Sequence, residues 1–425
     1  MIQSIKGMRD ILPPSSAVWN QVEAVARRVF ATFNYQEIRT PILEETALFA
    51  RSVGEETDIV SKEMYTFEDR DGAVLAMRPE NTASVLRAYI EHRLDQQPGL
   101  QKLYYIGPMF RRERPQKGRY RQFYQIGAEA IGSDSPAIDA EVIEMVVTVL
   151  RELGIQNFEL LINSVGTRHS RARYNEVLRA ALADVATKMC SDCQRRAHSN
   201  PLRVLDCKVP EDQPIIDSLP SILDHLDERD REHFARVREY LDDRQIKYTV
   251  KPRLVRGLDY YARTTFEITH GALGAQNAIL GGGRYDGLAE SLGSKVPAPG
   301  IGFSIGEDRL VMIVEESKTV EPTALDVYIA PMGDAARRHC AILAADIRRL
   351  ELSVELGTDN KLKRMLELAN KLGSRFALIV GDNEIVTQTY TLKDMRSGDQ
   401  QTLSRQALLD YLKREQTTKE LHIHG

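Results

Sequence analysis

The chain has 425 residues and a formal net charge of −4 at pH 7, with 42% hydrophobic and 28% charged residues. That length fits two or three domains rather than one core, and that balance excludes fibrous and disordered classes. No stretch approaches the ~18 uncharged apolar residues of a membrane span, the N-terminal "MIQSIKGMRDILPP" has no apolar run of signal-peptide length, and four cysteines in so long a chain make no disulfide scaffold, so a reducing, cytoplasmic setting is expected.

The first helix is expected over Ser16–Phe33, where Val18, Val22, Val25, Val29 and Phe33 recur at three- and four-residue steps and form one apolar stripe. "EIRTPILEET" (37–46) reads as a short strand ended by Pro41, which lacks the N–H a central ladder needs. "MYTFEDRDGAVLAMRPE" reads as a hairpin turning at Asp71-Gly72. "RPENTASVLRAYIEHRL" reads as a helix entered through Pro79, with Glu80 near the positive end of its dipole.

"LYYIGPMFRRE" and "RYRQFYQIGAEAIG" then form two strands around the polar loop "RPQKG". Six Arg or Lys residues crowd into positions 111–121 against one acid, Glu113, which is unexpected in a mildly acidic chain. Side chains alternate along a strand, so Arg121, Phe123, Gln125, Gly127 and Glu129 share one face of the return strand, and Arg111 and Glu113 one face of the outgoing strand. A face carrying arginine, glutamine and glutamate is either solvated or a polar ligand site. Gly107, Gly118, Gly127 and Gly132 favour the site, since glycine lets a ligand approach the backbone.

A helix over 138–153 and a strand over 157–163 follow. Residues 168–250 are rich in charge, lack β-branched runs and read as a helical insertion. Strand chemistry resumes with "KYTVKPRLVRGLDYYARTTFEITH", the glycine turn "LGGGRYDGL" and "PGIGFSIGEDRLVMIV", a strand entering a helix. "GGGRYDGL" lacks the Lys-Ser/Thr ending of a phosphate-binding P-loop, and close packing under a neighbouring strand explains it as well. Arg309 reads, by itself, as half of a surface salt bridge. Cys190, Cys193 and Cys207 invite zinc, with His198 the local fourth candidate, but the spacing fits no common zinc module. Reduced structural thiols and no metal are expected, and the two histidines of the tail "LHIHG" do not change that. The polar "EESKTVEPTA" (315–324) reads as a linker to a small α/β domain of strand, helix, strand, helix, strand, hairpin strand and helix.

"EIRTPILEET", "FRRERPQKGRYRQFYQIGAEAIG" and "GIGFSIGEDRL" resemble motifs 1, 2 and 3 of class II aminoacyl-tRNA synthetases, in order. "LVRGLDYYARTTFEI" and "GGGRYDGL" resemble the two signature peptides of the histidyl-tRNA synthetases, and "KGMRDILP" and "RPENTA" also match that family. The resemblance covers essentially the whole chain. It implies an α+β fold: an antiparallel sheet flanked by helices (1–167 and 251–318), a helical insertion (168–250) and a C-terminal α/β anticodon-binding domain (325–425), in a homodimer formed through the motif 1 region. It implies a ligase that joins L-histidine to ATP as histidyl-adenylate with release of pyrophosphate, then transfers the histidyl group to the 3′ end of tRNA(His).

By motif, the resemblance implies that Glu80, Asn81 and Thr82 bind histidine and that Gln125 holds its α-amino group. Glu129 and Tyr261 recognise the imidazole, with Tyr260 and Tyr285 lining the pocket. Arg111 holds the α-phosphate, Arg309 the far phosphates and adenine, and Arg256 sits between the histidine carboxylate and the α-phosphate. Arg119 and Arg121 contact ATP or the acceptor stem, and Gln116, Lys117 and Arg119 reach the tRNA acceptor end. The chemistry is consistent. Attack of a carboxylate on a phosphate brings two anions together, so fixed cations are needed, and arginine pairs bidentately with both groups. The substrate's own carboxylate attacks, so no Ser-His-Asp or Cys-His arrangement is required. Mg2+ is expected to accompany ATP, held mainly by its phosphates. The alternative is the synthetase-like regulatory subunit of ATP phosphoribosyltransferase, whose members typically lack the anticodon domain and parts of these motifs.

Overall fold

The computed structural model describes residues 2–55, 57–317 and 325–423. Most of the expected linker and the end of the tail "LHIHG" lie outside the described residues. The chain divides into two compact units, Met1–Glu321 and Pro322–Gly425.

An eight-stranded sheet organises the first unit. Its spatial order is Gln36–Glu37, Gln101–Phe110, Gln122–Ile131, Gly300–Gly306, Ala278–Arg284, Ala262–His270, Phe158–Ser164 and Thr249–Val250. The six inner strands pair antiparallel, while the two short edge strands pair parallel with their neighbours. Period-two alternation gives this sheet two unlike faces. On one face Ile126, Ala128 and Ala130, with Ile301, Phe303, Phe266 and Ile268, are buried in a single core. Helices Ser15–Thr32, Pro136–Glu152 and Glu307–Ser317 cover it with apolar stripes that include Val22, Val146 and Leu310. The other face carries Gln125, Gly127 and Glu129, opposite Ser304 and Gly302 of the next strand.

Several elements depart from the sequence expectation for local reasons. The segment around Pro41 splits, with Gln36–Glu37 edging the large sheet and Leu43–Glu45 joining Val74–Met77 and Tyr65–Glu68 in a three-stranded sheet. The helix expected from Pro79 begins at Thr82, because the Glu80 carboxylate takes the free N–H groups of Thr82 and Ala83 at 2.7 and 3.0 Å. Within 168–250, Phe234, Val237 and Leu241 of helix Glu228–Asp243 enter the main core. Tyr174, Leu178, Val204 and Leu205 instead form a second core with Val255, Tyr260, Tyr261 and Tyr285.

The glycine-rich strand ends in Arg284, which is fully buried and pairs with Asp139 at 2.5 Å and Asp286 at 2.9 Å. The second unit is a five-stranded sheet ordered Val354–Leu356, Val327–Pro331, Phe376–Val380, Thr389–Asp394 and Gln400–Ser404. Its first three strands are parallel and the rest antiparallel. Helices Asp334–Arg348 and Arg405–Ile423 pack on a core of Leu343, Ile347, Leu378 and Leu408; the element order is that read from the sequence, with a short helix, Asp382–Thr387, added before the hairpin.

Glu307 opens helix Glu307–Ser317 fully buried, with neither carboxylate oxygen hydrogen-bonded within the protein. Burial, then nearby Glu23 and Asp308, push it up to about 9. The unfolded glutamate ionises near 4.5. Between the two values the native state holds a proton the unfolded chain has lost, so stability falls as pH rises. Glu307→Gln should therefore stabilise the protein by on the order of 3 kcal/mol at pH 8 and by little at pH 4.5, read by urea unfolding at both values. An equal effect at both pH values would contradict it.

Candidate active site

The polar face of the sheet floors a cleft of about 490 Å³. Behind its lining residue Thr82 lies Glu129, which is fully buried. Thr82 Oγ1 and Tyr285 Oη each donate to its carboxylate at 2.7 Å. Burial pushes Glu129 up to about 8, against the lowering effect of those hydroxyls. Its room comes from Gly302 on the adjacent strand, where a Cβ would lie 1.8 Å from Glu129 Oε2. Glu80, also buried, is raised by desolvation and partly held down by the Ala83 and Thr82 N–H groups. Tyr260 and Tyr261 stand beside this floor with ring centroids 4.7 Å apart, and Tyr285 meets Tyr260 edge-on at 6.0 Å. Burial raises all three phenols, so they remain neutral hydroxyls. Gln125 lines the cleft with its Oε1 buried and unpaired, an acceptor suited to a substrate N–H or ammonium group.

Arginines form the rest of the wall. Arg256 follows the turn at Pro252–Arg253, and its guanidinium lies against the glycine strand. A Cβ on Gly281 would sit 1.8 Å from Arg256 Nη2. Arg256 Nη1 meets Glu267 Oε2 at 2.5 Å, while its Nε is buried and unpaired. Burial opposes the charge, but Glu267, Tyr261 and Asp206 together outweigh it, leaving Arg256 above its ordinary value. Arg111 donates from Nε to Pro79 O at 2.9 Å and lies over the Phe123 ring at 5.2 Å. Arg119 pairs with Glu113 at 3.0 Å. Arg309 has main-chain acceptors, Gly118 O at 3.2 Å and Ala278 O at 2.7 Å, rather than a surface salt bridge. Burial, then Arg119, lower it. Gly118 supplies that carbonyl from a turn with φ of 73°, a conformation glycine takes without strain.

A model of the histidyl-tRNA synthetase family matches residues 7–310. The chain belongs to the histidyl-tRNA synthetase family. A second model, for an anticodon binding domain, matches residues 326–415. A histidine–tRNA ligase of Solibacter usitatus (strain Ellin6076) is 68% identical over 405 residues, covering 95% of this chain and 97% of its own. One from Koribacter versatilis (strain Ellin345) is 57% identical over 426 residues, with 97% and 96% covered. Among solved structures, the apo S. aureus histidyl-tRNA synthetase matches with a TM-score of 0.82 at 38% identity, covering 97% of this chain and all (100%) of that one.

Of the residues that histidyl-tRNA synthetase motifs pointed to, Glu80, Thr82, Gln125, Tyr260 and Tyr261 line the cleft together with Arg111, Arg119, Arg256 and Arg309. Glu129 and Tyr285 stand immediately behind. Asn81 turns away: its Oδ1 accepts from Thr40 Oγ1 and Arg78 Nη1, so it positions the segment rather than facing a ligand. Arg121 also lies off the cleft, donating to Glu113 O and Lys6 O. Gln116 and Lys117 are exposed on the loop. Motif reading missed Glu267, Asp206 and Lys208, all lining the cleft. An acid inside the apolar run "TTFEITH" was the available signal for Glu267; nothing marked the other two. The glycines are packing devices, since Gly282 lies under Phe266 and Gly283 under Tyr261. His198 is exposed, and Asp212 rather than His198 joins Cys190, Cys193 and Cys207.

Gly281→Ala places a methyl group where the Arg256 guanidinium lies. The far end of a flexible side chain can swing aside, so chemical stability should change little. Histidine-dependent ATP–pyrophosphate exchange should nevertheless fall about a hundredfold. Wild-type exchange in the folded variant would show that this seat is not required.

Proposed function

We propose that the cleft binds L-histidine and ATP together, forms histidyl-adenylate with release of pyrophosphate, and passes the histidyl group to the 3′ end of tRNA(His). The observation that carries this reading is one cleft that brings buried carboxyl groups and phenols together with four arginines. Glu129 sits where it can accept from a ring N–H, with Tyr260 and Tyr261 beside it. A flat, N–H-bearing side chain fits that end, and Gln125 Oε1 offers an acceptor for the α-amino group. The histidine carboxylate then points toward Arg256, with Arg111 approaching the same α-phosphate from the hairpin. Each cation offsets negative charge that builds as carboxylate oxygen and phosphorus approach, and pyrophosphate leaves toward Arg309.

Magnesium would enter on the ATP phosphates and help neutralise them. Glu113 and Glu267 offer hard carboxylate oxygens of the right chemistry to complete its shell. Arg112, Arg114, Gln116 and Lys117 are exposed on the loop, a local basic patch suited to a nucleic-acid backbone; we assign it to the tRNA acceptor end. Residues 1–167 and 251–318 make up the activating domain, 168–250 its insertion, and 325–425 the domain that reads the anticodon. Ile42, Leu43, Phe67 and Val74 are exposed on the three-stranded sheet and its approach, an apolar surface that supports a homodimer through the motif 1 region. The few cysteines, all free, favour a reducing, cytoplasmic setting.

The regulatory-subunit reading has less support, because the close relatives are ligases and the C-terminal unit matches an anticodon binding domain. ATP–pyrophosphate exchange against a panel of amino acids tests the proposal. Histidine alone should support exchange, and no exchange with any amino acid would point to a regulator. Glu129→Ala should raise the histidine KM sharply with little change for ATP, because a site built to pair with a polar substrate group depends on that pairing. An unchanged histidine KM would remove Glu129 from recognition.

A further inference from the structure

The helical segment after Arg168 brings three thiols and a carboxylate to one point. Cys190 is the N-cap of helix Ser191–Ser199, and Cys193 lies in that helix's first turn. Cys207 follows the helical turn Pro201–Asp206, and Asp212 ends the turn Pro210–Asp212. The four ligand atoms lie within 4.8 Å of one another. Cys190 Sγ and Cys207 Sγ are 3.9 Å apart, and Cys207 Sγ is 3.3 Å from Asp212 Oδ2. Cys193, Cys207 and Asp212 are buried and Cys190 is half-buried. A tetrahedral zinc with bonds of about 2.3 Å holds its sulfurs about 3.8 Å apart, close to the spacing found. A disulfide would require sulfurs about 2 Å apart, and all four cysteines of the chain are free.

The surrounding backbone is arranged for negatively charged sulfur. Cys193 N–H points at Cys190 Sγ at 3.5 Å, and Val209 N–H points at Cys207 Sγ at 3.4 Å. Such donors favour the thiolate that a metal requires. Cys190 N–H donates to Asp212 Oδ1 at 3.1 Å and Oδ2 at 3.2 Å, which fixes the carboxylate beside the sulfurs. Among the described residues, no Lys, Arg or His forms an ion pair with Asp212. A buried carboxylate normally has a cationic partner, and here three soft ligands converge on the same point.

We propose that Cys190, Cys193, Cys207 and Asp212 hold one thiophilic divalent metal ion, zinc by chemistry, in a closed structural site. Each thiol gives up its proton as the metal binds. The position matters to the cleft. Cys207 lies between Asp206 and Lys208, which line it. Arg203 Nη1 donates to Gly257 O at 2.8 Å and Asn200 Nδ2 to Asp259 Oδ1 at 3.2 Å. The metal therefore cross-links the segment that braces the turn carrying Arg256, and this holds whatever reaction the cleft performs.

Metal analysis of full-length protein, purified under reducing conditions without chelator, should find about one zinc per chain. Titration of reduced, metal-free protein with Co2+ should produce a thiolate-to-cobalt charge-transfer band that saturates at one equivalent. Cys207→Ser should abolish that band or weaken Co2+ binding at least tenfold. Cys190→Ser, at a half-buried position that perturbs packing less, should do the same with far-UV circular dichroism unchanged. Reduced wild-type protein that takes up neither zinc nor cobalt would overturn the site. So would a cobalt band that survives unchanged in folded Cys190→Ser.

Discussion

A guanidinium resting on a strand with no side chain beneath it is the feature on which the cleft depends. Arg256 occupies the space a Cβ on Gly281 would fill and is locked there by Glu267. A buried cation is tolerable only with such a partner. Pairing through Nη1 leaves the buried Nε without a partner. The turn bearing Arg256 is braced in turn from the insertion by Arg203. Electrostatic preorganisation of this kind is built by the fold before any substrate arrives, so no reorganisation is needed when charge develops.

The same use of a missing side chain recurs at Glu129. Glu129 lies under a strand that has Gly302 where a side chain would collide with it. Its neighbours are hydroxyls rather than cations, which leaves it protonated near neutral pH in the ligand-free protein, with its value up at about 8. The cleft thus joins a buried, neutral carboxyl and phenols to four arginines, of which Arg119 pairs with Glu113 and Arg256 with Glu267.

Much of this was legible in the sequence because strand alternation is strict. Gln125, Gly127 and Glu129 on one face and Ile126, Ala128 and Ala130 on the other follow from period two alone, and the C-terminal unit's element order follows from its repeated apolar runs. Less legible was anything created by meeting at a distance. The triple glycine at 281–283 looked like a loop because sequence does not show the Arg256, Phe266 and Tyr261 side chains that occupy its missing Cβ positions. Glu267 reads as an ordinary strand residue until Arg256, eleven residues earlier, turns back onto it. Asn81 sits among ligand-facing neighbours yet points away, because Arg78 and Thr40 hold it. Asp212, five residues after Cys207, has no motif to announce it as the partner of three thiols.

The central claim is that Arg256 acts on the transition state rather than on ground-state binding. Single-turnover formation of histidyl-adenylate by Arg256→His tests it most directly, since the variant loses reach, the bidentate fork and most of the charge at neutral pH. The account predicts a rate about 10²–10³ lower, with KM for ATP and histidine changing far less. A variant that forms adenylate at the wild-type rate, or that is impaired only in ATP binding, would contradict it.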